Sequence, residues 1–563
     1  MIVWSGAAGL RAAIHFFEND FTDILVLGDR KFQDAHTTQA RGGINAALAT
    51  LDHDDTTMIH AVDTFREGQF IAHPQLVETL TKNAPSAIDD LVRWGADFHK
   101  EDDGTTLTQR FFGAHTYRRT CFSGDETGKE MIRAMSTRAR DLKVPFLEDT
   151  YVHTLLKNDE GKASWVLAVN KDNEEIHIES PVVIFACGWF ANVYYRSSSR
   201  NKENFGDAIG AAYRAGAKIG DMEMVQFHPT GLLYPEEKFW ELVTEAVRWE
   251  WGILKNNNGE RFMKKYDPDK MELSTRDVVA RANFSEIHEW RGTERWWVWL
   301  DISHKPREYI LERLPKMHSM ILEYNNVDIA ESPVEIAPTT HYTMWGIWFD
   351  PDTYETTIPN FYVAGECTMW VHGANRLGWN SLMETVVFWK KVAETIMQNF
   401  DTLKYDISWN IETQDFDCKG SIDPDEMLID IRKQVWEYAG IVRVESELVE
   451  LQKRLQGYRN RIKTEWIKCS WSLYTNTMML RRIHTVLDFA ELICVWSLQR
   501  TESRWAHFRS DYTDMRSEFD KNYFHQMIDG KRVSTWRDVP KPSPELQNGI
   551  DTFEKTQNYG HSE

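Results

Sequence analysis

The chain has 563 residues, 42% of them hydrophobic and 27% charged, and a formal net charge of −21. Such acidity repels phosphate backbones and excludes a nucleic-acid partner, though a local basic pocket can still take a small anion. No apolar run reaches the roughly 18 residues that a membrane span needs, and no secretory leader is recognisable, so any membrane association is expected to come through a partner.

In chain order, Ile2-Val3, Gly6, Gly9 and Ala12-Ala13 read as strand, tight turn and helix start. Ile24 to Leu27 supplies a second strand, ending at Gly28-Asp29. Strand, glycine turn, helix and strand in that order make a βαβ unit of the dinucleotide-binding type. Gly6 and Gly9 take the second and third glycine positions of the phosphate turn, and Trp4 stands where the first belongs. Asp29 lies about 20 residues beyond Gly9, a spacing that suits a ribose hydroxyl and suits a solvated loop aspartate equally.

Leu76, Leu80, Ile88 and Leu91 share one helical face over residues 76–95, and residues 150–186 turn strand-like, ending in Val182 to Ala186. Leu448, Leu451 and Leu455 repeat at helical spacing, and the chain becomes polar and irregular after residue 516. The pattern predicts an α/β fold with a discontinuous Rossmann-like domain over residues 1–221 and 336–404. An inserted α+β capping domain over 222–335, a helical domain over 405–515 and a short C-terminal domain over 516–563 complete it. The six cysteines, Cys121, Cys187, Cys367, Cys418, Cys469 and Cys494, form no CxxC pair. That predicts a reducing compartment and no cluster or metal site of the chain's own.

Several segments carry chemistry. Val371-His372-Gly373-Ala374-Asn375-Arg376-Leu377-Gly378-Trp379-Asn380-Ser381 sets one guanidinium, a fork that can grip a carboxylate, among small residues. Asp34 to Ala47 contains His36, Thr37, Arg41, Gly42 and Gly43; Phe227-His228-Pro229-Thr230-Gly231, Thr244-Glu245, Thr275-Arg276-Asp277 and Ala337 to Met344 follow. Taken in this order, they resemble the flavoprotein subunit of succinate dehydrogenases and fumarate reductases over roughly residues 2–530.

The resemblance implies bound FAD, contacted by Gly6, Gly9, Asp29, Thr37, Gly42, Gly43, Gly188, Asp207, Glu366, Asn380, Ser381 and Leu382 and joined covalently through His36. It implies a C4 dicarboxylate substrate, one carboxylate held by His228 and Thr244 and the other by His341 and Arg376. Arg276 is then the acid/base, with Glu245 and Arg248 relaying protons to solvent. Because the chain lacks cluster cysteines, the resemblance also implies a separate iron–sulfur subunit, together with membrane-anchor subunits that bind quinone. The location implied is peripheral, on the cytoplasmic side of a cell membrane or the matrix face of a mitochondrion. Two rival readings are an L-aspartate oxidase, whose family lacks the histidine at position 36, and a degenerate relative that binds no flavin. Arg41 departs from the glutamine or glutamate expected there. Trp4, Trp189, Trp249, Trp251, Trp345, Trp370, Trp379, Trp389 and Trp505 stand where the resemblance calls for glycine. Trp4 and Trp189 should obstruct a pyrophosphate, and Trp379 should crowd a flavin.

Overall fold

A computed structural model describes residues 1–111, 114–200, 203–232, 234–235, 238, 241–403, 420–468 and 472–560. Cys418 and Cys469 lie outside the described residues. At the centre is a five-stranded, all-parallel sheet in the order Phe361–Val363, Val183–Phe185, Ile2–Val3, Val26–Leu27, Phe146–Leu147. Ile2, Val3, Val26, Leu27, Ile184 and Phe185 are fully buried, as expected of parallel strands covered on both faces. The strand from residue 361 joins the sheet after a long excursion, so this layer is discontinuous in sequence. Helices Ala7–Glu18 and Asn380–Asn399 pack on each other against it.

The excursion contains a four-stranded antiparallel sheet, Val225–Gly231, Val334–Thr343, Val298–Asp301 and Ile253–Lys255, with helix Arg276–His288 packed on its first two strands. It has its own core, including Leu254, Met317, Ile321 and Ile336. Helices Pro424–Ala439, Glu445–Glu465 and Leu473–Gln499 pack together beyond it. Among the described residues no helix is long and apolar enough to cross a membrane.

The helix read over 76–95 is Pro74–Arg93, and the stretch after 150 is a meander of Thr150–Lys157, Ala163–Asn170 and Glu175–Glu179 before the sheet strand. The tail departs from its expected irregularity. Lys521–Ile528 and Lys531–Asp538 form a hairpin that joins Ile219–Gly220 and Gly346–Ile347 in one sheet, and helix Pro544–Gly560 follows. Its outer strand is mostly exposed and polar, and a solvated edge strand has no apolar alternation to reveal it.

Candidate active site

A cavity with about 1850 Å³ of empty space, partly open to solvent, lies at the carboxyl ends of the parallel strands. Trp4, Ser5 and Gly6 line it after the first strand, Asp29 after the second, Cys187 to Trp189 after Val183–Phe185, and Ala364 and Glu366 after Phe361–Val363. That is where open parallel sheets hold dinucleotides, because the strand-to-helix turns bring backbone amides and helix N-termini together. A Cβ added at Gly6 or at Gly188 (φ 62°) would make ordinary van der Waals contact, nothing lying nearer than 3.7 Å, so neither turn is sterically blocked.

His36, Thr37, Asp207, Ser381 and Leu382 line the same cavity. The His36 Nδ1 lies 2.8 Å from Glu203 Oε1, and Arg30 and Arg200 donate to the same carboxylate at 2.5 and 3.1 Å. Burial raises the Glu203 carboxyl, but the charges and hydrogen bonds of His36, Arg200 and Arg30 outweigh it and hold it well below the usual range. Arg482 donates to Asp207 at 3.1 Å. Arg41 donates to Glu241 at 2.5 Å, tying the first cofactor segment to the inserted region.

The inserted sheet and its helix supply the other wall. His228 and His341 sit on adjacent antiparallel strands, their ring centroids 5.1 Å apart. The Thr230 backbone N–H donates to His228 Nδ1 at 3.3 Å, which leaves the ring proton on Nε2. Ser198 Oγ lies 3.2 Å from His341 Nδ1. Asn283 donates to the Pro229 carbonyl at 2.9 Å and clamps helix Arg276–His288 onto the strand bearing His228. Arg276, the first residue of that helix, donates through Nε to Glu245. Arg248, one helical turn after Glu245, lies 3.4 Å from the same oxygen and donates to the Glu272 carbonyl at 2.6 Å. Arg376 donates to Gln226 at 3.0 Å and Ser381 at 3.2 Å and lies 4.2 Å over the Tyr342 ring.

Five buried donors there have no partner: Thr244 Oγ1, Arg248 Nε, Thr275 Oγ1, Arg276 Nη1 and Arg376 Nε. Buried donors are seldom left bare, and a cluster of them calls for an anionic ligand. Burial raises the Glu245 carboxyl, but Arg276 and Arg248 outweigh that and hold it at about 2. Burial first, then Arg276, pushes His228 down to about 3, and burial first, then His228, pushes His341 well below 6.5, so both rings are neutral. Stability follows pH accordingly. Below pH 6.5 the unfolded chain protonates His228 while the folded chain does not, so stability is full above 6.5 and falls as pH drops toward 3. By pH 5 this one group accounts for about 2 kcal/mol. Thermal unfolding at pH 7.5 and 5 should show that decline, and His228→Gln should flatten it.

Gly9, Gly42, Gly43 and Asn380 do not line the cavity. A Cβ at Gly9 would strike the Trp4 carbonyl, and one at Gly43 the Thr120 side chain and Cys121 carbonyl, so both glycines serve close packing. A Cβ at Gly42 would overlap the six-membered ring of Trp379. Asn380 is a buried hub, donating to Thr64 at 2.9 Å and accepting from Asn45 at 2.8 Å. Arg248 lines a second cavity on the far side of Arg276, with Glu67, Arg66 and Lys270. Sequence reasoning missed Glu203, Glu241, Gln226 and Tyr342, whose partners are distant in the chain. It also missed Glu67, whose carboxyl is pushed up to about 8 by burial and then by Asp277.

A model described as "FAD binding domain" matches residues 1–382, and one described as "Fumarate reductase flavoprotein C-term" matches 429–539. This chain belongs to the succinate dehydrogenase and fumarate reductase flavoprotein family. It is 38% identical over 529 residues to a fumarate reductase (CoM/CoB) polypeptide from Methanothermobacter marburgensis, covering 93% of this chain and 96% of that one. An L-aspartate oxidase from Acinetobacter baylyi is 31% identical, covering 92% and 94%. The Mycobacterium smegmatis Sdh1 structure in complex with UQ1 superposes with a TM-score of 0.88 at 30% identity, covering 99% and 96%.

The cavity wall of this flavoprotein offers a dinucleotide the Asp29 carboxylate, unblocked glycine turns at Gly6 and Gly188, and an unpartnered Glu366 Oε1. The fit fails at three indoles. Trp4, Trp189 and Trp379 line the same space, and Trp379 lies over Gly42 and 5.2 Å from the Arg276 guanidinium carbon.

Proposed function

We propose that this FAD-dependent oxidoreductase interconverts succinate and fumarate, with FAD attached covalently to His36. The observation that carries this reading is the set of unpartnered buried donors at and beside Arg276, in a cavity wall that His228, Thr244, His341 and Arg376 also line. A C4 dicarboxylate places one carboxylate in each pair, with its central carbons beside Arg276. FAD held by His36, Thr37, Ser381 and Leu382 would supply the hydride chemistry. The residues of the chain orient the two carboxylates, exclude water and move one proton: Arg276 exchanges it at the substrate carbon, and Glu245 and Arg248 lead it to the second cavity. In keeping with this, residues 1–221 and 336–404 hold the cofactor, 222–335 cap the substrate, and 405–515 and 516–563 form the helical and C-terminal domains.

Electrons leave through a separate iron–sulfur subunit, while membrane-anchor subunits that bind quinone hold the assembly peripherally on the cytoplasmic side. The M. marburgensis relative is named for CoM/CoB, which favours as a second reading a partner that exchanges electrons with CoM/CoB instead. Co-purification from the source cells, followed by donor assays with quinol and with CoM/CoB, separates the two. His36→Ser tests the covalent bond. Flavin should stay with the acid-precipitated native protein and move to the supernatant from the variant. Flavin retained in the variant pellet places the attachment elsewhere.

A further inference from the structure

Eight tryptophans among the described residues occupy left-handed backbone: Trp4 (φ 79°), Trp251 (76°), Trp290 (64°), Trp296 (64°), Trp370 (87°), Trp379 (69°), Trp466 (57°) and Trp505 (44°). Few non-glycine residues adopt this region, and for a bulky side chain it is an outlier. Asparagine and aspartate tolerate it best, yet here they supply only Asn173, Asn204, Asn326 and Asn360, and Asp20, Asp149, Asp221 and Asp529. Tryptophan therefore outnumbers each of them twofold. The residue it behaves like is glycine, eleven of which hold φ between 52° and 96°.

The side chains show the same mismatch. Trp251, Trp290, Trp296 and Trp466 are 61, 78, 43 and 47% exposed. Trp370 and Trp505 carry buried indole N–H groups without a partner, as Trp189, Trp345, Trp389 and Trp496 also do at ordinary φ, although a buried indole normally finds one. Trp4 and Trp379 project into the flavin cavity. Trp94 shows how a tryptophan placed for its side chain looks: φ is −83°, the indole donates to Glu18 at 2.9 Å, and the ring lies 4.8 Å from the Arg11 guanidinium carbon.

We propose that the cells that make this protein insert glycine at these eight positions, so that residues 4 and 379 of the working flavin site carry no side chain. A codon that these cells read as glycine carries the exchange, so the chain is made without these indoles. Glycine at 379 frees the space over Gly42 and beside Arg276, and glycine at 4 clears the first turn of the cofactor domain. Six of the eight lie outside that cavity, so the inference stands apart from the succinate reading.

Peptide masses of the full-length protein purified from its own cells decide the matter. Glycine is expected at the eight positions and tryptophan at Trp94; tryptophan at the eight overturns the proposal. Two recombinant full-length forms give an independent readout without turnover. The form carrying W4G, W251G, W290G, W296G, W370G, W379G, W466G and W505G should unfold at least about 10 °C higher and hold more FAD through desalting than the tryptophan form, with Trp189 the one tryptophan left in that cavity wall. A form with only the exposed W251G, W290G, W296G and W466G should also gain stability. If the tryptophan form is as stable and holds as much FAD, these positions do not require glycine and the proposal fails. Masses that show glycine in a protein indifferent to succinate would leave the inference standing and remove the substrate reading.

Discussion

Arg276→Ala should abolish turnover, lowering kcat by about 10²–10⁴-fold or more, while the flavin content stays that of the parent. Arg276 sits at the start of a helix clamped to the His228 strand, it is 7% exposed, and its Nη1 has no protein partner. An arginine stays protonated in water and gives up its proton reluctantly, but here a second guanidinium, Arg248, and the carboxylate of Glu245 surround it, so a proton leaving Arg276 has an adjacent route. Removing Arg276 leaves Glu245 with Arg248 as its remaining counter-charge. A purely structural role predicts loss of folding in step with loss of rate. An acid/base role predicts intact melting with the rate gone, and partial recovery when guanidine is added to the Ala variant. Full activity in Arg276→Ala would remove it from the proton path.

Arg376→Lys should lower kcat/KM for succinate by about 10³-fold, mainly through KM, with flavin retained. The guanidinium is spread between Gln226 and Ser381 and packed on Tyr342, which leaves Nε as the unpartnered donor. Burial first, and then Arg276, lowers its pKa to about 10, which still keeps it charged at neutral pH. A lysine keeps the charge but not the fork, and leaves Gln226 or Ser381 unbonded. The same variant should weaken a dicarboxylate inhibitor in proportion to substrate. If KM and inhibitor affinity are unchanged, Arg376 does not hold a carboxylate.

The legible parts of this protein are local in sequence. The Ile2-Val3, Gly6 and Gly9 turn declares a βαβ unit because strand, turn and helix are consecutive. The segments around His228, Arg276 and Arg376 declare carboxylate chemistry because each carries its own functional side chain. Contacts made by tertiary folding were not legible: Glu203 reaches His36 across 167 positions and Glu241 reaches Arg41 across 200. The hairpin at 521–538 was hidden by its polar outer strand. Among the tryptophans that stand out in the sequence, Trp189, Trp249, Trp345 and Trp389 do not hold positive φ, whereas Trp290, Trp296 and Trp466 do and were not singled out. Backbone handedness belongs to the fold, and composition carries no trace of it.

The measurement closest to the central claim is anaerobic titration of the flavin-loaded protein, followed by its yellow absorbance. The form used is whichever retains FAD, with tryptophan or with glycine at the eight positions. Succinate should bleach the flavin, fumarate should restore the colour, and L-aspartate should leave it unchanged. Bleaching by L-aspartate with no response to succinate would contradict the account and assign the site to amino-acid oxidation.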